Sequence, residues 1–128
     1  DVWRQYDVPP YTEKHVRIDE YERTLRELIE LTKPVVKKLV LMTPFYIEPN
    51  RDDPMRAMMD RYGRVVEKLA GEAGAVFVDT QKAFDAVLPH YYPAALAWDR
   101  VHPSMTGHMV LARAFLNEVG FDWNGSQA

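Results

Sequence analysis

Leu39-Val-Leu-Met-Thr43 is a short, unbroken apolar run that ends at Pro44. No polar position alternates through it, so it reads as a β-strand buried on both faces, the habit of strands in parallel sheets. Ala75-Val-Phe-Val-Asp79 repeats the pattern. Between the two runs, Met55, Met58, Met59, Tyr62, Val65, Val66 and Leu69 recur at helical spacing. Asp53-Pro54 supplies an N-cap and a proline at the first helical position, and Gly71 and Gly74 stand near the end. Strand, helix, strand predicts an α/β fold with a parallel sheet.

On the amino-terminal side, Ile18, Tyr21, Leu25, Leu28 and Thr32 form the apolar face of an earlier amphipathic helix. Asp19 with Glu22 predicts a capping box there, and Pro34 lies just past the periodic stretch. Residues 1–14 read as loop, and Tyr46–Asp53 as a polar loop containing proline. Thr80–Leu88 predicts a short helix, and Pro89–Trp98 an aromatic loop. Ser104 or Thr106 caps a last helix whose Leu111, Phe115 and Val119 face inward and whose stop is Gly120. Trp123–Ala128 reads as tail. Two parallel strands leave sheet edges exposed and cannot shield both faces, so more sheet is expected than this chain supplies.

Composition removes several classes. Lys plus Arg number 16 against 19 Asp plus Glu, with no basic block, which disfavours a nucleic-acid partner. No apolar run approaches the roughly 20 residues of a membrane span. The absence of cysteine excludes disulfides, a thiol nucleophile and thiolate-bound metals, and it suits a reducing cytoplasm. The length fits one domain. The chain opens on Asp1 rather than Met, and no signal peptide is visible in its first residues.

The stretch that carries chemistry is Trp98-Asp-Arg-Val-His-Pro-Ser-Met-Thr-Gly-His108. Asp99 and His102 stand three apart on a loop that opens into a helix. An Asp that accepts the His Nδ1–H fixes the tautomer and leaves Nε2 free to take a proton from a hydroxyl nucleophile. The same spacing also suits a loop histidine tied to a neighbouring carboxylate with no catalytic task. A metal site needs a third ligand, and none stands at a recognisable spacing.

Asp99-x-x-His102-Pro-Ser-x-x-Gly-His108 resembles the last sequence block of the GDSL/SGNH hydrolases, which carries the Asp and His of a Ser-His-Asp triad. Asp1-Val-Trp resembles the end of that family's Gly-x-Asn-Asp block. Asp1-Val-Trp-Arg-Gln-Tyr-Asp7, Met42-Thr-Pro-Phe-Tyr-Ile-Glu48, Asp53-Pro-Met55, Tyr62-Gly-Arg-Val-Val66 and Tyr92-Pro-Ala-Ala-Leu-Ala-Trp-Asp-Arg-Val-His-Pro-Ser104 resemble the intracellular acetylxylan (xylo-oligosaccharide) esterases of Gram-positive xylan degraders. The resemblance implies the three-layer α/β/α sandwich of SGNH hydrolases with a parallel sheet, residues 1–128 forming the C-terminal part of a single domain. It implies a cytoplasmic serine esterase without cofactor or metal that removes acetyl groups from xylo-oligosaccharides. It also implies a homo-oligomer, with neither nucleic acid nor membrane as partner. Asp99 and His102 take the catalytic positions.

The chain departs from the family in one decisive respect: it contains no Gly-Asp-Ser. Its serines are Ser104 and Ser126, and Ser104 matches a structural position of the last block. The nucleophile and the oxyanion-hole Gly and Asn are therefore expected upstream, and the 128-residue chain alone is expected to be inactive. Another SGNH lipase, lysophospholipase or thioesterase is the alternative enzyme. A non-catalytic carbohydrate-binding or assembly module is the alternative from another class. Trp3, Tyr91, Tyr92 and Trp98 suit a sugar-ring wall or a subunit contact, and equally packing against the sheet. Asp79 either faces the functional edge of the sheet or caps the next turn. His108, His15 and His90 read as surface residues, and the Met55, Met58 and Met59 stripe as core.

Overall fold

A computed structural model describes residues 16–125 of the chain. In order these form α1 (Ile18–Thr32), a 3-10 turn (Lys33–Val35), β1 (Val40–Met42), α2 (Pro54–Ala73) and β2 (Val76–Val78). Then follow α3 (Thr80–Val87), α4 (Pro93–Leu96) and α5 (Met105–Glu118). The two strands pair in parallel, with Val40 opposite Val76, Leu41 opposite Phe77 and Met42 opposite Val78. The α/β architecture with a parallel sheet is that read from the two apolar runs.

Strand alternation sends Leu41 and Phe77 to one face of the sheet, where they join Ile29 of α1 and Val65, Val66, Leu69 and Ala70 of α2. On the other face α5 lies against β2, and Val78 is fully buried. A second core brings together Ile47, Phe84, Leu96 and Ala97, with Phe45, Val110 and Leu111 around them. This core joins the segment after β1 to α3, α4 and α5.

Helix α2 starts and stops for local reasons. Asp53 Oδ1 accepts from the backbone N–H of Met55 (2.9 Å) and Arg56 (3.1 Å), so two of the orphan amides of the first turn are satisfied. Gly74 ends the helix at φ 62°, a left-handed conformation that glycine adopts without a steric penalty. Asp79 caps α3 by accepting from the Lys82 amide at 2.9 Å, so of its two readings the structure supports the cap. Ser104 caps α5 through the Gly107 amide.

Several expectations are corrected. Arg17, not a side-chain box built on Asp19 and Glu22, precedes α1, and its side chain makes no cap bond. Leu28 faces solvent and Ile29 takes the buried position, because α1 meets α2 along one narrow line. β1 is not buried on both faces: Met42 is 39% exposed, since among the described residues β1 has a neighbour on one edge only. The polar-looking loop after β1 begins buried, at Tyr46, Ile47 and Glu48. The stretch 89–98 contains the short helix α4, whose Leu96 fills the second core. Trp123 is not free tail: its indole N–H donates to Asn117 Oδ1 at 2.6 Å, and its ring meets Phe121. Residues 1–15, which include Trp3 and His15, and residues 126–128 lie outside the described residues.

Candidate active site

The loop holding Asp99 and His102 is pinned at both ends. Before it, Leu96 and Ala97 are wholly buried. After it, the Ser104 amide donates to the Leu96 carbonyl at 2.7 Å, and the Ser104 hydroxyl donates to the Ala95 carbonyl at 2.7 Å. Gly107 lets α5 close on α4: a Cβ there would run into the Leu96 carbonyl and sit 2.9 Å from Pro103 Cβ. The Ile47 amide donates to the Arg100 carbonyl at 3.0 Å, which sets the loop beside the segment leaving the carboxyl end of β1. Open α/β sheets gather their reactive groups at that end of the strands.

Within the loop Asp99 is an acceptor three times over. Its Oδ1 takes the backbone N–H of Val101 (3.0 Å) and of His102 (2.8 Å), and its Oδ2 faces His102 Nδ1 at 2.6 Å. The hydrogen bond from the His102 backbone, then that from its ring, hold the Asp99 carboxyl well below the usual carboxylate range. The Asp99 side chain is only 9% exposed, while that of His102 is 67% exposed. Nε2 of His102 has no protein partner among the described residues. The ring is thus oriented through one nitrogen and open at the other, the geometry of the acid–base pair in nucleophilic hydrolases.

Tyr92 and Trp98 stand at the surface, 85% and 80% exposed, so neither packs against the sheet. His90 and His108 are also exposed. Among the described residues no group of three or more His, Cys, Asp or Glu side chains forms a metal-ligand set. No helix among them is long and apolar enough to cross a membrane.

Beside this loop lies a buried polar cluster that the sequence does not announce. Arg56 is almost fully buried and donates to Asp85 Oδ2 (2.7 Å), Asp60 Oδ1 (2.8 Å) and the Glu48 carbonyl (2.7 Å). Gln81 links Asp85 Oδ1 (3.0 Å) to the Tyr46 amide (2.8 Å). The one local signal is that Arg56 falls on the apolar stripe of α2, one turn before Met59. A cavity of about 400 Å³ lies against Arg56, Asp60 and Asp85, and no residue of the 98–104 loop lines it.

The parallel α/β fold and this oriented pair have the geometry expected of a hydrolase. The chain belongs to the GDSL-like lipase/acylhydrolase family, whose sequence model matches residues 1–110. It is 67% identical over 123 residues to an acetylxylan esterase of Geobacillus stearothermophilus; the match covers 96% of this chain and 56% of that protein. The chain therefore spans little more than half the length of this relative. The solved structure of a mutant of Axe2, an acetyl-xylooligosaccharide esterase from the same organism, superposes with a TM-score of 0.93 at 65% identity, covering 98% of this chain and 57% of the other. LAE5, an α/β hydrolase enzyme from the metagenome of Lake Arreo, Spain, gives 0.89 at 53% identity over 94% of this chain and 55% of its own. Catalytic mutants of Axe2 replace an Asp and a His three apart, the spacing of Asp99 and His102, and a Ser near that protein's amino terminus.

Proposed function

We propose that this chain supplies the His-Asp half of a serine carboxylic-ester hydrolase that removes acetyl groups from xylan-derived xylo-oligosaccharides. The serine and oxyanion-hole groups are carried by residues preceding Asp1, in the same SGNH domain, whose further strands complete the sheet at the open edge of β1. The observation that carries this reading is the Asp99–His102 pair, with Nδ1 held at 2.6 Å and Nε2 open.

The chemistry follows from that geometry. His102 Nε2 takes the serine hydroxyl proton as the serine oxygen bonds to the acetyl carbonyl carbon. The imidazolium, stabilised by the Asp99 carboxylate, then gives the proton to the departing sugar oxygen. Water repeats the cycle on the acetyl-enzyme. Acetyl-xylooligosaccharides as substrate rest on the identity to the Geobacillus enzymes. A homo-oligomer is supported by the exposed Tyr92 and Trp98, since large exposed aromatics are characteristic of subunit contacts. A cytoplasmic location is supported by the lack of cysteine.

The test is to assay the chain extended by the coding sequence upstream of it. The extended protein deacetylates xylo-oligosaccharides, and His102→Ala lowers kcat by roughly 10⁶-fold, the scale of triad deletions. The 128-residue chain alone shows no turnover. Equal or faster hydrolysis of octanoyl esters would reject the acetyl-sugar assignment. Near-normal activity of His102→Ala would reject the triad, and an upstream sequence without the Ser and Asn blocks would favour a non-catalytic module.

A further inference from the structure

Arg100, between the two paired residues, is the only non-glycine residue with positive φ among those described, at 69°. L side chains rarely adopt that conformation. It is what folds the loop so that two successive amides, of Val101 and His102, point back at one oxygen of Asp99 while the other oxygen meets the ring. Something must hold the turn in place, and each part of Arg100 is held. Its amide donates to the Ala97 carbonyl (3.1 Å), its carbonyl accepts from Ile47, and its guanidinium makes an ion pair with the Glu48 carboxylate.

Glu48 is itself fixed. It is buried, its other carboxylate oxygen accepts from the Asn50 amide at 2.9 Å, and its carbonyl accepts from buried Arg56. The Arg100 guanidinium also meets the Tyr46 side chain, the first of the interactions that keep it firmly charged. The path from the interior to the loop is thus continuous: Gln81, Asp85, Arg56, Glu48, Arg100.

We infer that Arg100 and Glu48 are positioning residues for His102: their ion pair ties the strained turn to the buried cluster and thereby keeps the ring on Asp99. This rests on the acid–base reading of Asp99 and His102. A salt bridge that served stability alone would leave the His102 ring unchanged when cut. A latch would not.

The experiment is NMR of the protein extended by its upstream coding sequence, with ¹⁵N-labelled histidine, following the Nδ1-bound proton of His102 and the tautomer shown by its ring nitrogens at one fixed pH. In the unaltered protein His102 shows a resolved Nδ1 proton and the single Nδ1-protonated tautomer, and Asp99→Asn removes that proton and shifts the ring to the Nε2-protonated tautomer. Arg100→Gly suits the positive φ and deletes only the side chain. Glu48→Gln keeps the shape and removes the charge. Both lose the resolved Nδ1 proton and give mixed tautomers, with the rings of His90 and His108 unmoved, and Arg100→Lys restores part of the signal. An unchanged His102 spectrum in folded Arg100→Gly and Glu48→Gln overturns the inference. If Arg100→Gly loses its amide dispersion, Glu48→Gln decides alone. A spectrum that Asp99→Asn leaves unchanged would instead overturn the acid–base reading beneath it.

Discussion

His102 Nδ1 lies 2.6 Å from Asp99 Oδ2, and the two residues are joined a second time through the His102 backbone amide. The pair is therefore held by one carboxylate acting on both ring and chain. In the proposed reaction, the acceptor character of that carboxylate is what matters for proton transfer.

Asp99→Asn in the upstream-extended protein tests this point. An amide turns an N–H donor toward Nδ1, so the ring proton moves to Nε2 and the nitrogen facing the nucleophile can no longer accept. We expect kcat to fall by roughly 10⁴-fold in a protein that still folds, with a lowered melting temperature. Steady-state kinetics alongside a thermal melt check it, and a loss below about tenfold would show that the ring is oriented by something else.

The same carboxylate sets an acid limit. Its pKa in the folded chain is depressed, by the His102 backbone bond first and the ring second. A depressed carboxyl contributes stability above its unfolded value of about 3.9, and that contribution is lost as pH falls through the folded value. The melting-temperature gap between the unaltered chain and Asp99→Asn is expected to be constant above about pH 5 and to shrink from about pH 4 downward. A gap that widens toward acid would contradict the sign.

Gly107 and Gly71 are both helical glycines with opposite surroundings. A methyl at Gly107 meets the Leu96 carbonyl and Pro103, while at Gly71 nothing lies within 4 Å. Gly107→Ala is expected to cost about 1–3 kcal/mol, as overpacking does, and to loosen the 98–104 loop. Gly71→Ala is expected to add about 0.5–1 kcal/mol by helix propensity. Urea unfolding of the two variants should move the midpoint in opposite directions.

Arg56→Met removes one member of a buried cluster, takes the guanidinium donor from Asp60 and the Glu48 carbonyl, and leaves Asp85 with Gln81 and the exposed Arg51. Truncating one side of a buried ion pair costs about 3–5 kcal/mol, and because Asp60 and Asp85 keep some solvent the lower end is expected. Chemical denaturation reads the change directly. A loss under about 1 kcal/mol would mean that water replaces the guanidinium at little cost.

The Asp99–His102 pair is legible in the sequence because it is local: three residues of loop bring ring and carboxylate together. The capping roles of Asp53, Asp79 and Ser104 are legible for the same reason. Leu28 and Ile29 exchange their expected places because periodicity gives the angle of a helical face but not the width of the surface it meets. Tyr46, Ile47 and Glu48 read as solvated loop because the stretch carries no local sign that α2, α3 and α4 will cover it.

The α/β class, the parallel pairing of two short strands and the contact of Asp99 with His102 all follow from the order of residues alone, since periodicity, caps and i, i+3 spacing act between near neighbours. How that pair is held is a property of the folded chain. Ile47 and Glu48 reach Arg100, and Arg56 reaches Asp85, across segments far apart in the sequence. Such contacts arise because packing α2 and the segment after β1 into the interior would otherwise leave buried charge unpaired, a condition set by proximity in space and not by spacing along the chain.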